Sequence, residues 1–342
     1  MSSSKPERII SGFRPTSDLT IGNYLGAVRP SLDIQEDPDK DLFVFVADLH
    51  GLTDHDPREI APYRNEVIHD CLALGLDPER STVYLQSDTE AQVSQIANRL
   101  SPYVSVAELA RTPNLKEKMQ AAVRNGKVEN DDSTRANFGL LGYPVLMAAD
   151  IFAQDSVKVA VGEDQEPHLE LARLIAKRFN KRFERDGQPV LVEPLMFSVD
   201  ALRIVSLDGK GKMSKTNPSQ SIMLNDDPGK ARKKIQRAVT TSAGEWNSTL
   251  ESHFMVAAEL ASNPELVSRL DELKQAHMDG RPVMGEFKKI WADSTEEFLV
   301  NFQDNKARIS SEDVEEVLEQ GGVVASNNAE VVLDRMKKSM GF

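Results

Sequence analysis

Leu42-Phe43-Val44-Phe45-Val46-Ala47 is apolar at every position and rich in aromatic and β-branched residues. A strand with one wet face would alternate. An uninterrupted run of this length suits a parallel strand covered on both faces. Upstream, Arg8-Ile9-Ile10-Ser11-Gly12 reads as a short buried strand ending at a glycine, and Thr20 then stands where a helix N-cap belongs, ahead of Ile21, Tyr24, Leu25 and Val28 on one face. Downstream come a helix from about Pro57 to Leu74, a strand over residues 82–86, a helix near Glu90–Leu100 and a strand over residues 157–161. Strands alternating with helices predict an α/β fold, a Rossmann-like doubly wound parallel sheet. After about residue 220 the strands stop. Residues 227–238, 250–260, 265–277, 286–303 and 326–340 read as helices, so the C-terminal third is expected to be all-helical.

The composition belongs to an ordinary globular chain: of 342 residues, 40% are hydrophobic and 28% charged, which excludes wholesale disorder. A lone cysteine, Cys71, can form neither an internal disulfide nor a thiolate zinc site by itself, and it fits a reducing, cytoplasmic setting. Neither a secretory leader nor a membrane span is expected, because Met1-Ser2-Ser3-Ser4-Lys5 has no apolar core after it and the run at Leu42 is too short. The net charge of −13 argues against nucleic-acid binding over the whole surface. A local basic face remains open, because Lys230, Arg232, Lys233, Lys234 and Arg237 cluster in a stretch without acids. It reads equally well as a solvated helix face.

Common nucleotide signatures are missing: there is no P-loop, and no G-x-G-x-x-G follows the first strand. Three other segments could handle phosphate. In the first, Thr20-Ile21-Gly22-Asn23 opens a helix, whose exposed N–H groups favour anions; Gly22 would let an adenine approach the backbone and Asn23 would donate to phosphate. Simple capping explains the same residues. The second, Asp208 to Thr216, gathers Lys210, Lys212 and Lys215 around two glycines, as many surface loops do. The third runs from Val159 through Val161 and Gly162 to Asp164 and Gln165, which could bind ribose or merely compensate a helix dipole.

Taken together, Thr20-Ile21-Gly22-Asn23 and Lys212-Met213-Ser214-Lys215-Thr216 resemble the two signatures of class I aminoacyl-tRNA synthetases, usually spelled HIGH and KMSKS. Ile10-Ser11-Gly12 with Pro15-Thr16, the run Tyr143-Pro144-Val145-Leu146-Met147-Ala148-Ala149-Asp150-Ile151, and Val161 to Gln165 narrow the resemblance to the bacterial tryptophanyl-tRNA synthetase family, over essentially the whole chain. That resemblance implies a catalytic domain over residues 1–220, with an insertion at about 100–145 and a KMSKS-like lysine loop at 208–217. Residues 221–342 would be a helical domain for the tRNA anticodon.

The resemblance also implies ATP and L-tryptophan as substrates, tRNA(Trp) as acceptor, Mg²⁺ carried mainly by the ATP phosphates, and a homodimer. Lys212, Lys215 and Ser214, with Thr20 and Asn23, would stabilise departing pyrophosphate. Arg14, Gly22, Lys118, Gly162, Asp164, Gln165 and Met213 would contact ATP. Asp150 would accept the indole N–H, with His50, Tyr143, Met147, Val159, Val161 and Gln165 around the amino acid. An acid inside the apolar stretch at 145–152 is costly unless partnered, which separates Asp150 from ordinary core. Arg14, Ile10 and Leu49 depart from the family's usual glutamine, phenylalanine and glutamine, all beside the amino-acid pocket. Tyrosyl-tRNA synthetase and a non-catalytic RNA- or protein-binding paralogue are the competing readings; the Met147-Ala148-Ala149-Asp150 run favours indole over phenol.

Overall fold

The computed structural model describes residues 6–16, 18–53, 55–112, 115, 137–198, 202, 204–215 and 217–342. Its centre is a five-stranded sheet of β1 (Glu7–Phe13), β2 (Lys40–Val46), β3 (Ser81–Leu85), β4 (Lys158–Val161) and β5 (Leu195–Ser198). The order is β3-β2-β1-β4-β5 and every pair is parallel. The doubly wound expectation therefore holds. β5 is additional to the strands expected; its four residues, Leu-Met-Phe-Ser at 195–198, follow Pro194 and are too few to show a period.

Both faces of the sheet are covered, as the unbroken apolar run of β2 requires. Ile9, Leu42, Val44, Val46 and Val83 pack on one side with Leu25, Val28, Val67 and Ile68. Ile10, Phe43, Tyr84 and Val159 pack on the other with Ile96, Val145, Phe152 and Ile175. The chain reverses its direction of winding between β1 and β4, and in such sheets ligands bind in the crevice beyond the carboxyl ends of the strands at that point. The segments that matter start there: residues 14–20 leave β1, 47–50 leave β2, Gln86 leaves β3 and Gly162 leaves β4.

The helix expected over residues 57–74 is two pieces, Pro57–Ile60 and Tyr63–Ala73, parted at Pro62. The helical C-terminal third is present as Pro228–Gln236, Ser248–Glu259, Pro264–Met278, Met284–Lys306 and Ser311–Met340. Its apolar side chains Ile222, Leu224, Ile235, Leu250, Phe287 and Trp291 continue the core that begins at Ile9 and Leu42.

The last helix is twice as long as its sequence suggested, because Ser310 and Asp313 form a capping box far upstream of the expected start. The glycines in its middle do not break it. A Cβ on Gly321 would stand 1.8 Å from the carbonyl oxygen of Val83, so only glycine lets the helix lie on the backbone of edge strand β3. Covering an edge in this way removes a site for unwanted strand pairing.

Candidate active site

The helix after β1 begins as a capped turn. Thr20 is fully buried, its Oγ1 accepts from the Asn23 N–H at 3.1 Å, and Asn23 Oδ1 accepts from the Thr20 N–H at 3.0 Å. Capping is thus real here, and it fixes the Asn23 side chain against Thr20. The turn is also tied to a distant segment: Ile21 N–H donates to Ile222 O at 2.9 Å, and Leu224 N–H to Leu19 O at 2.9 Å.

That distant segment follows the lysine loop. Residues 204–206 and 211–213 form a narrow hairpin, with Met213 N–H bonded to Ile204 O and Ser206 N–H to Gly211 O, both at 2.8 Å. The tip reverses through Gly209 (φ 73°), and Asp208 Oδ1 closes it by accepting from Ser206 Oγ and the Lys210 N–H. Ser221 then grips Ser214 twice, accepting from its N–H and donating to its carbonyl. Lys212 is exposed, while Lys215 is half-buried. Burial pushes the Lys215 ammonium down to about 8 against the pull of Asp70 and Asp18; Arg14 pushes it the same way as burial. Arg14 is itself exposed, on the loop leaving β1.

Met213 is buried, and its Cβ lies 3.3 Å from where a Cβ on Gly22 would be. The space at Gly22 is thus filled by Met213 and Ile204. In this arrangement the glycine allows close packing of the two signature segments.

On the other side of the sheet, the helix Phe138–Ala153 carries Tyr143, Met147 and Asp150, and is capped by Asn137. Asp150 is 3% exposed. Its Oδ2 receives Nε2 of His50 at 3.0 Å and Nε2 of Gln86 at 2.8 Å. A carboxylate only accepts, so Nε2 of His50 carries the proton in that bond. Burial raises the Asp150 carboxyl, and the bonds from His50 and Gln86 oppose it. Gln86 also accepts the backbone N–H of His50, locking the two together. Tyr143 lies edge-on to both His50 and His168, and its hydroxyl pairs with His168 Nε2 at 3.1 Å. Beneath His50, the buried Asp48 accepts from Ser87 N–H and Oγ and pairs with Arg64 at 2.9 Å.

The structure brings together Asp150, His50 and Tyr143; Met147 and Val161 are half-buried and pack against the core cluster on that side of the sheet. Val159 is different: at 4% exposure it belongs to the packed core with Ile10 and Phe43. Gly162 follows β4, and Asp164 bends back over it, with Oδ1 2.8 Å from where a Cβ would be. Gln165 donates to Asp164 at 2.7 Å. Lys118 and Thr216 lie outside the described residues, as does half of the insertion.

Gln86, Asp48 and His168 carry no clear mark in the sequence. Gln86 offers a faint signal, as a polar residue directly after a buried strand. The basic segment, left open between a basic face and a solvated helix face, is divided in the structure. Arg232 is held by Asp293 and Glu296, and Lys234 is spent on Pro218 O, Ser221 O and Asp226. Lys233 and Arg237 remain exposed.

Residues 2–300 match the family model of class I tRNA synthetases for W and Y. A tryptophan–tRNA ligase of Porphyromonas gingivalis is 34% identical over 345 residues, covering 98% of this chain and 99% of that protein. A crystal structure of tryptophanyl-tRNA synthetase from Mycoplasma pneumoniae superimposes with a TM-score of 0.83 at 29% identity, over 98% of both chains. The Campylobacter jejuni tryptophanyl-tRNA synthetase, complexed with ADP and tryptophan, gives 0.78 at 27% identity, over 98% of this chain and all of that one. This chain belongs to the class I tRNA synthetases, in their bacterial-type tryptophanyl branch.

Proposed function

We propose that this protein joins L-tryptophan to tRNA(Trp) at the expense of ATP. In the first step the tryptophan carboxylate forms a bond to the α-phosphorus, the α–β phosphoanhydride breaks, and pyrophosphate leaves with the electron pair. In the second, the terminal ribose hydroxyl of tRNA takes the tryptophanyl group and AMP leaves. The protein needs no nucleophile of its own; its work is positioning and electrostatic stabilisation.

The observation that carries the reading is the buried Asp150, held through one oxygen by His50 and Gln86. We assign its other oxygen, Oδ1, to the indole N–H, tryptophan's only side-chain donor. Tyr143, Met147 and Val161 would flank the ring. Lys212, Lys215 and Ser214 would act on the β- and γ-phosphates, with Thr20 and Asn23 opposite them and Arg14 toward the reacting groups. Gly162, Asp164 and Gln165 would meet the ribose and the amino-acid end. Lys118 enters by resemblance alone. Mg²⁺ would come with the nucleotide and be held mainly by its phosphate oxygens: the lysines facing them cannot ligate it, and no metal-holding group of acids or histidines occurs among the described residues.

We place the catalytic unit at residues 1–220 and tRNA contact in the helical remainder. The region around residue 100–145 would form the dimer contact, where Val106 and Phe138 expose large apolar side chains. No helix among the described residues is long and apolar enough to cross a membrane, and we place the reaction in the cytoplasm. ATP–pyrophosphate exchange tests the reading: exchange with tryptophan and not with tyrosine supports it, and the reverse preference overturns it.

A further inference from the structure

The backbone ladder between β2 and β3 pairs Val46 with Leu85 and stops there. Carried two residues further, the same register sets Asp48 against Ser87. Both strands have ended by then, and the side chain of Asp48 takes over the pairing. Its Oδ1 accepts the Ser87 N–H and the Leu49 N–H, both at 3.0 Å. Its Oδ2 accepts from Ser87 Oγ at 2.7 Å and pairs with Arg64 Nε at 2.9 Å. Arg64 comes from helix Tyr63–Ala73 and also donates to Ser87 Oγ at 2.9 Å. Asp48 is 4% exposed. A carboxylate accepts from backbone, hydroxyl and guanidinium donors at once, and its burial is tolerable because those donors meet it.

The turns joined in this way carry the two groups that hold Asp150. His50 stands two residues after Asp48, and Gln86 immediately precedes Ser87. The bond from the His50 N–H to Gln86 Oε1, at 3.1 Å, is a second tie between the same turns. Thr53 Oγ1 closes the first turn on His50 O at 2.8 Å, and Thr89 Oγ1 closes the second on Gln86 O at 2.9 Å. Both side chains end on one atom, Asp150 Oδ2, at 3.0 Å from His50 and 2.8 Å from Gln86. Hydrogen bonds weaken steeply away from their best length and angle. Two donors can therefore converge on one oxygen only while the turns that carry them keep a fixed separation. Asp48 fixes it between the turns, and Arg64 braces it from a third element.

We propose that Asp48 is a positioning residue for amino-acid recognition: with Ser87 and Arg64 it holds the turns after β2 and β3 at the separation that lets His50 and Gln86 orient Asp150. The inference rests on the assignment of Asp150 Oδ1 to the indole N–H, and it adds the layer behind that contact. Asp48 touches no substrate in this role. An amide in its place would turn an NH₂ group either toward Arg64 or toward the Ser87 and Leu49 N–H groups, whichever way it flipped. Donor would then face donor, and the turns would part.

The test is ATP–pyrophosphate exchange with tryptophan and with L-β-(benzothiophen-3-yl)alanine, in which sulfur replaces the indole N–H. The two are close in shape, and only tryptophan can donate to Asp150. The ratio of their kcat/KM values therefore reads the orientation of that carboxylate, and general damage to the fold cancels from it. The wild type should prefer tryptophan strongly, as a site built around a buried donor does. Asp48→Asn should lower the preference about tenfold, as for a hydrogen bond to a charged group, with KM for ATP near its wild-type value. Ser87→Ala removes only the hydroxyl's bonds and should lower it about threefold; it carries the test if Asp48→Asn does not fold. Added to Gln86→Leu, Asp48→Asn should cost little further preference, because both act through the same oxygen. Equal losses on the two amino acids leave the ratio unchanged, and that result, or additive losses with Gln86→Leu, overturns the proposal while Asp150 keeps its role. A wild type that uses the sulfur analogue as well as tryptophan removes the Asp150 assignment, and the inference with it.

Discussion

Nε2 of His50 and Oδ2 of Asp150 lie 3.0 Å apart although a hundred residues separate them in the chain. The contact joins the turn after β2 to the helix Phe138–Ala153, across the crevice at the sheet's carboxyl edge. It commits one carboxylate oxygen to the protein and orients the other. Asp150→Ala should therefore cut kcat/KM for tryptophan by about 10²-fold or more, since a pocket built around one buried donor depends on its acceptor. Steady-state exchange measures this, and an unchanged kcat/KM would make Asp150 purely structural.

Gln86 supplies the second bond to the same oxygen, and its carbonyl fixes the backbone of His50. Gln86→Leu keeps the volume and removes both bonds. Hydrogen bonds to a charged group are worth about 1.5–3 kcal/mol, so the KM for tryptophan should rise about tenfold or more, while KM for ATP stays near its original value. Equal rises in both would show a general collapse of the crevice.

Much of this was legible in the sequence. The apolar run of β2 predicted a sheet buried on both faces, and the acid at Asp150 stood out because burying it demands partners. Of its two partners, His50 was expected near it only through the family resemblance, and Gln86 did not stand out. Gln86, and His168 that pairs with Tyr143, sit on elements far apart in the chain, and nothing local in their neighbourhoods sets them apart from surface polar residues. The length of the final helix was hidden for another reason: the expected helix began only at 326, and the glycines at 321 and 322 serve a close approach to β3 and Asp88 that only tertiary structure reveals. The basic run at 230–237 showed its charge but not its pairing, since Asp226, Asp293 and Glu296 come from elsewhere.

Lys215 should trade stability for function. Lys215→Ala is expected to lower the kcat of exchange by about 10²–10³ with little change in tryptophan KM, as when other groups that stabilise developing charge are removed. Its stability effect has a definite sign. Unfolded, the lysine keeps its proton to about 10.5; folded, only to about 8. Between these values the unfolded chain binds more protons, so native stability rises with pH across that window. Lys215→Met should thus be more stable than wild type below about pH 8, with the gain fading toward 10.5. Urea melts at several pH values would show it, and a constant difference would refute the burial cost.

Gly321 tests the seating of the last helix. Alanine favours a helix over glycine by about 1 kcal/mol, so on propensity alone Gly321→Ala should stabilise. The added methyl, however, would meet the carbonyl oxygen of Val83 at 1.8 Å, and strand backbone cannot rotate away. Overpacking of this kind costs about 1–3 kcal/mol or more. The variant should melt at lower temperature than wild type by calorimetry, and a higher melting temperature would mean that the helix is not held against β3.

The basic segment makes the last prediction, and the pairing of its side chains decides its form. Lys234 is 11% exposed and bonded to Pro218 O, Ser221 O and Asp226, so it fastens the chain just beyond the lysine loop. Its removal should impair pyrophosphate exchange before any tRNA is present. Arg232 is bound to two acids of helix Met284–Lys306 and has little charge to offer a ligand. Lys233 and Arg237 are exposed, on a protein whose net charge of −13 repels RNA elsewhere. If this face meets the tRNA backbone, the double variant Lys233→Ala with Arg237→Ala should weaken tRNA binding and lower the slope of log affinity against log salt by about one for each phosphate no longer neutralised. Exchange without tRNA should stay at the wild-type rate, unlike in Lys234→Ala. Identical salt slopes for the double variant and the wild type would leave these two residues as ordinary solvated charges and move the tRNA contact to another face of the helical region.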